Sequence, residues 1–327
     1  MTLRVLSPGL LTTVQDLGRL GYERFGVPQS GAMDFFALRA ANRLVGNPPG
    51  AAGLEFTLEP PVLRAGQDLL VAFAGRGYAL AVQGRRAGAW RAAVAWRGEE
   101  IRFLAEGTGG WGYLAVLGGI DVPPVMGSRS TFLRGGFGGW QGRILHAGDV
   151  LPVGRGPVGE RPGDWKQRAG RWLPPEMRPR YADVVEVLVV TGPQEDAFPE
   201  EALRTFLSAE YSITATSDRM GYRLAGPPLE HRAGADLLSE PLTWGAVQVP
   251  ADGQPMVMMA DRPTTGGYPK AATLATAALP LLAQAMPGSG RVRFTPVSVE
   301  AAQQQYRALM AGLEDGIEEE ADENAYG

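Results

Sequence analysis

The sequence predicts a mainly β chain: two related β-domains with a few short helices. Three observations carry that prediction. The chain holds 45 glycines and 26 prolines in 327 residues, which suits short strands joined by tight turns better than a helical bundle. Apolar or alternating runs of strand length recur in both halves. A turn-into-strand spelling also repeats, as Gly66-Gln-Asp68-Leu69, Gly98-Glu-Glu100-Ile101, Gly148-Asp149-Val150 and Gly234-Ala-Asp236-Leu237. There glycine supplies the turn, the carboxylate bonds nearby backbone, and the apolar residue enters a sheet.

Taken in order, Leu3–Leu6 and Thr12–Val14 read as short strands around Pro8-Gly9. Asp34 caps a helix running to Val45, because Ala37, Leu38, Ala41, Leu44 and Val45 share a face and Gly46 with Pro48 stops it. Strands follow at Leu69–Ala74, Tyr78–Val82, Ile101–Leu104 and Tyr113–Leu117. The Gly/Pro/Arg-rich stretch 154–182 reads as a linker between domains at 1–153 and 183–313. Beyond it lie a strand at Asp183–Val190, a helix at Pro199–Leu207, and strands at Met256–Ala260 and Val292–Thr295. Pro280 opens a helix to Met286, and Ser298 caps a last helix to Leu313. The tail 314–327, with its carboxylates from Glu314 to Glu323, is expected to be disordered.

A second repeat links the halves. Arg19, Gly21, Tyr22, Gly26 and Pro28 spell R-x-G-Y-x-x-x-G-x-P, and Arg219, Gly221, Tyr222, Gly226 and Pro228 spell it again. The shared part reads as a fold-building turn of each β-domain. A ligand or partner role in the first copy is then expected at residues the second does not repeat: Gln15, Ser30, Met33 and Asp34.

Composition excludes several chemistries. With no cysteine there is no disulfide, thiolate nucleophile or cysteine-bound zinc. The two histidines, His146 and His231, stand in no metal-binding spelling and suggest no Ser-His-Asp triad, so no metal site is expected. A net charge of −4 gives no reason to expect nucleic acid. The N-terminus lacks a leader pattern and no 18-residue apolar run occurs, so the reading is cytoplasmic with no membrane contact.

Two glycine-rich loops, Arg134–Trp140 and Thr264–Lys270, match neither a Walker A nor a Rossmann fingerprint. The first reads as a strand connector. The second belongs to Asp261-Arg262-Pro263-Thr264-Thr265-Gly266-Gly267-Tyr268-Pro269-Lys270, which follows an apolar strand. It gathers a carboxylate, a guanidinium, two hydroxyls, a phenol and an amine in one loop. Arg262 would fork onto a carboxylate or amide oxygen, Lys270 would supply a point charge, and the Gly266 and Gly267 amides would steady an oxyanion. The plainer reading is an Asp261–Arg262 turn with a solvated lysine. Gly127-Ser128-Arg129-Ser130-Thr131 is a similar polar loop, and Gln248 flanks an apolar stretch.

Four blocks, 12–34, 118–131, 216–226 and 245–270, closely resemble the biotin-dependent carboxyltransferase family. It is also called allophanate hydrolase subunit 2, the KipA type, urea amidolyase-related protein or the C subunit of 5-oxoprolinase. The resemblance implies duplicated cyclophilin-like β-barrel domains. It implies a C subunit that joins a B subunit (KipI-type) and an A subunit in an ATP-dependent 5-oxoprolinase, opening 5-oxoproline to glutamate and inactive alone. ATP with Mg is expected at the level of that complex, and no covalent biotin on this chain. Two other activities stay open within the resemblance. One is the carboxyltransferase component of a biotin-dependent urea or amide carboxylase. The other is a non-catalytic partner that antagonises a B-type kinase inhibitor.

Opening a lactam needs cations for carboxylate and phosphate and donors for an oxyanion. Asp261, Arg262 and Lys270 are the expected catalytic residues. Arg19, Ser30, Asp34, Arg129, Ser130, Asp218, Arg219, Gln248, Thr264, Thr265 and Tyr268 are expected to bind the small amide substrate. Asp16, Asp34, Asp218 and Asp261 are the candidate bases or cation orienters.

Overall fold

The computed structural model describes residues 1–156, 165 and 168–319. They form two compact units. The first comprises Met1–Arg19, Ser30–Arg178 and the segment from Ala311; the second comprises Leu20–Gln29 and Pro179–Met310. The described part of the expected linker, through Arg178, is thus counted with the first unit.

In the first unit, one antiparallel sheet runs in the order Val150–Pro152, Thr2–Ser7, Val62–Ala65, Glu100–Ala105, Tyr78–Val82, Arg85–Gly88. A second runs Leu11–Gln15, Gly53–Thr57, Trp111–Val116, Leu69–Gly75, Arg91–Ala95, Arg171–Trp172, Glu318–Glu319. Strand alternation explains how both are covered. Leu69, Val71 and Phe73 join Leu3, Val5, Leu80 and Phe103 in one shared core. Phe56 anchors it, 4.5 Å from Phe103 and 6.0 Å from Phe73 between ring centroids. The alternate residues Leu70, Ala72 and Ala74 are also fully buried, and helix Phe35–Val45 packs on this sheet. That helix ends as the sequence predicts. Asp34 Oδ1 accepts from the Ala37 N–H at 2.9 Å, and Gly46 turns left-handed at φ 84°.

The second unit is a closed barrel, the form that the family resemblance implies. Its order is Val184–Thr191, Lys270–Leu274, Ala246–Gln248, Met256–Met258, Gly221–Ala225, Glu210–Ile213, Arg291–Pro296. The last strand closes on the first in parallel, with Val184 beside Arg291. Helix Glu200–Ser208 seals one side by stacking Phe206 on Phe294 at 4.4 Å. Tyr222 donates to the Ala283 carbonyl at 2.9 Å, tying a barrel strand to helix Leu279–Ala283.

Some expectations shift. The repeated R-x-G-Y spelling does not mark equivalent turns. Its first copy contains only the short 3-10 turn Glu23–Phe25, with Gly21 and Gly26 at φ 86° and 78°. In the second copy Gly221–Ala225 is a barrel strand, and neither Gly221 nor Gly226 is left-handed. The same letters serve a φ-demanding loop in one place and close packing in the other, where a Cβ on Gly226 would meet the Tyr211 ring at 2.6 Å. Of the turn-into-strand spellings, the one at Gly234 leads into no strand before Glu240. The last helix runs on to Asp315, and Glu318–Glu319 pair with Arg171–Trp172, so order extends past the expected start of the tail. The rest of the tail, 320–327, lies outside the described residues.

Candidate functional site

The family-like blocks build one polar cluster in each unit. In the first unit, Asp16 follows strand Leu11–Gln15 and is nearly buried. Its Oδ1 accepts from the Gly18 N–H at 2.8 Å, from the Ser128 hydroxyl at 2.6 Å and from the Ser130 hydroxyl; its Oδ2 accepts from the Arg129 N–H at 2.6 Å. A carboxylate holding four donors is a clamp between two loops. Arg19, 1% exposed, donates to the Ser130 carbonyl and lies 5.0 Å from the Phe137 ring centroid. Arg129 donates through Nε to the Val122 carbonyl and through Nη2 to Asp121, so its guanidinium staples its own loop.

Beside this clamp lies a network the sequence reading missed. Glu55 is 1% exposed and accepts from the Tyr113 hydroxyl and the Met33 N–H, each at 2.7 Å. Tyr113 accepts in turn from the Asp34 N–H at 2.7 Å. Burial, with the Glu55 and Asp34 charges beside it, pushes the Tyr113 phenol well above its ordinary pKa. The available signal was a glutamate flanked by Leu54 and Phe56 in strand Gly53–Thr57. Gln15 and Ser30 are also fully buried. Gln15 Nε2 donates to Thr13 and to the Thr131 carbonyl, while Gln15 Oε1 and Ser30 Oγ have no protein partner among the described residues. Ser30 also holds φ 55°, a costly conformation for a non-glycine residue.

In the second unit, Arg219 and Asp261 form a two-pronged pair, Nε to Oδ2 at 2.8 Å and Nη2 to Oδ1 at 3.1 Å. The Asp261 N–H adds a bond to the Arg219 carbonyl at 2.7 Å. Asp218 spends its carboxylate on the Met220 and Gly221 amides of its own turn. Arg262, 6% exposed, donates through Nε to the Leu242 carbonyl at 3.1 Å, while its Nη1 is buried with no partner among the described residues. Burial lowers the Arg262 pKa and the Glu23 carboxylate opposes that shift, so Glu23 neighbours it electrostatically. Lys270 Nζ donates to Glu240 at 2.8 Å, and Gln194 donates to the same oxygen at 2.9 Å. Those bonds hold the Glu240 carboxyl below its usual pKa. Gln248 donates to the Tyr268 carbonyl at 3.1 Å. Thr264 accepts from the Leu242 N–H, and Thr265 pairs with Pro241 at the edge of a two-residue ladder.

Arg219, Asp261 and Arg262 therefore form one polar group of the barrel unit, and Lys270 and Gln248, paired on adjacent strands, belong to a second. Asp16, Arg19, Ser30, Asp34, Arg129 and Ser130 share one region of the first unit. Cavities of about 420 Å³ and 430 Å³ are lined by residues of neither cluster. Among the described residues no group of three acidic or imidazole side chains could hold a metal ion. No helix among them is long and apolar enough to cross a membrane.

A closed barrel and a two-sheet unit, each with a buried polar loop cluster, are the frame on which the family match falls, and that match makes the chain one of the carboxyltransferase-domain proteins. The family described as carboxyltransferase domain, subdomains A and B, matches residues 25–296, and the chain belongs to it. It is 37% identical over 305 residues to the C subunit of 5-oxoprolinase from Escherichia coli, covering 92% of this chain and 93% of that protein. It is 36% identical to the Haemophilus influenzae protein of the same name, covering 89% of each. Among solved structures it resembles the K. lactis urea amidolyase with a TM-score of 0.88 and 31% identity, over 98% of this chain. The chain spans only 20% of that enzyme's length.

Proposed function

We propose that this chain is the C subunit of a heteromeric ATP-dependent 5-oxoprolinase, working with A and B subunits and inactive alone. The observation that carries the reading is coverage. The match to the E. coli 5-oxoprolinase protein spans 93% of it, whereas the match to the larger K. lactis enzyme spans one fifth of that chain.

In this reading the barrel loop meets the substrate. Arg262 brings a buried N–H donor that no described protein group takes up, suited to the carboxylate or ring carbonyl of 5-oxoproline. Lys270, held by Glu240, adds a second cation for charge that grows on the oxygen as the lactam opens. Asp261 is a positioning residue, because both its oxygens are engaged by Arg219. Thr264, Thr265, Tyr268 and Gln248 frame the loop. In this reading ATP with Mg acts at the level of the complex.

Reconstitution tests the proposal. The chain mixed with its A and B partners, ATP, Mg²⁺ and 5-oxoproline should release glutamate. A yield no higher than that of the mixture without this chain overturns it. The second reading, a carboxyltransferase component acting on urea or another amide, draws on the similarity to the K. lactis enzyme. Carboxylation of urea in the presence of a biotin-carrying partner would select it.

A further inference from the structure

We propose that Lys270 brings more than charge to the barrel loop: it donates the proton taken up by the nitrogen that leaves as the lactam opens, with Glu240 and Gln194 as its positioning residues. The inference rests on the 5-oxoprolinase reading and deepens it. Choice of residue type is the first support. The chain writes 29 of its 31 basic residues as arginine and two as lysine, Lys166 and Lys270. Lys166 lies outside the described residues. A guanidinium supplies charge and hydrogen bonds but keeps its protons, whereas an ammonium can give one up. In a chain that otherwise meets its need for cations with arginine, a buried lysine in this loop points to proton transfer.

The local backbone aims that amine. Lys270 opens strand Lys270–Leu274, and the register against Ala246–Gln248 slips where Gln248 meets it, an irregularity of the kind that redirects a side chain. The Gln194 amide braces the bend on both sides. Its oxygen accepts from the Lys270 N–H at 3.2 Å, and its nitrogen donates to Glu240 Oε2 at 2.9 Å. The same Glu240 oxygen takes one N–H of Lys270 Nζ at 2.8 Å, and the ammonium has no other partner among the described residues. The Lys270 side chain is 8% exposed and that of Glu240 46%, so the pair runs from the interior out to solvent. When the C–N bond breaks, its electron pair goes to the ring nitrogen, which needs a proton to become the amine of glutamate. The carbonyl carbon takes the hydroxyl of water, and the second proton of that water passes to solvent. Nζ gives the nitrogen its proton and recovers one from solvent, so Lys270 ends as it began. This need is the same however the carbonyl is activated.

Lys270→Arg in the reconstituted complex tests the role, because it keeps the charge and removes the transferable proton. Glutamate formation should fall at least about 100-fold, as far as in Lys270→Ala. Ethylammonium in the buffer should restore part of the rate to Lys270→Ala and none to Lys270→Arg. Glu240→Gln, at a half-exposed position that the fold tolerates, should lower kcat with little change in KM. A Lys270→Arg complex that keeps more than about a tenth of the natural rate overturns the proposal, since charge alone then suffices. So does an assembled Lys270→Ala complex that the amine leaves unrescued. Should neither Lys270 variant assemble, an unchanged kcat in Glu240→Gln overturns it. A natural complex that forms no glutamate instead fails the 5-oxoprolinase reading itself, before any variant is compared, and the proposal falls with it.

Discussion

Asp261 and Arg262 are sequence neighbours in opposite situations. Asp261 is satisfied on both oxygens by a buried arginine from 42 residues away, whereas Arg262 keeps one buried nitrogen without a described partner. Substitution should separate the two roles. Arg219→Ala leaves a buried carboxylate unpaired, and chemical denaturation should show a loss of about 3–5 kcal/mol. Arg262→Ala removes no such partner. It should leave assembly with the B subunit intact and cut glutamate formation by at least about 100-fold, as should Lys270→Ala. Unchanged rates in both would show the loop to be architectural. In the first unit, Tyr113→Phe deprives Glu55 and the Asp34 N–H of their shared partner and should cost about 1–3 kcal/mol. The loop 261–270 was legible because its residue types are conspicuous together. That Arg219, expected to bind substrate, instead pairs with Asp261, and that Glu240 holds Lys270, were not legible, because pairing at such separations is set by barrel closure.

At the scale of elements, helix Phe35–Val45 was legible end to end: its cap, its buried face and its glycine stop are all local. The repeated R-x-G-Y spelling misled for the complementary reason. Glycine can answer a demand for left-handed φ or a demand for space, and spelling does not say which. Turn electrostatics gives an element-scale expectation with a defined sign. Arg143 donates to both oxygens of Asp149, at 2.8 Å each, and holds that carboxyl well below its ordinary pKa. The pair thus contributes stability that is present above the unfolded carboxylate pKa of about 4 and is lost as pH falls further. Asp149→Asn should lower the melting temperature at pH 7 and flatten its decline on acidification. Parallel melting curves for the two proteins between pH 2 and 7 would show that the turn gains nothing from the ion pair.

At the scale of the whole chain, the first unit is completed by residues that arrive last. Ala311 onward is counted with strands that begin at Thr2. The fasteners are specific. Leu313 is 1% exposed, Arg43 donates to the Glu314 carbonyl at 2.7 Å, and a Cβ on Gly316 would come within 2.7 Å of Met177 Cγ. Further on, Glu318–Glu319 add a two-residue strand and an ion pair with Arg171 whose glutamate is 56% exposed. The acidic composition after Glu314 concealed this order, since charge density gives no hint of the buried leucine just before it. The two groups of contacts should differ in weight. Leu313→Ala should cost about 2–5 kcal/mol, the range for a fully buried leucine. Among the described residues, ending the chain at Ile317 removes the short strand and the exposed pair, and should cost no more than about 1 kcal/mol. Urea unfolding of both variants decides the matter. If the truncation costs as much as the leucine substitution, the terminal strand rather than the buried helix end secures the unit.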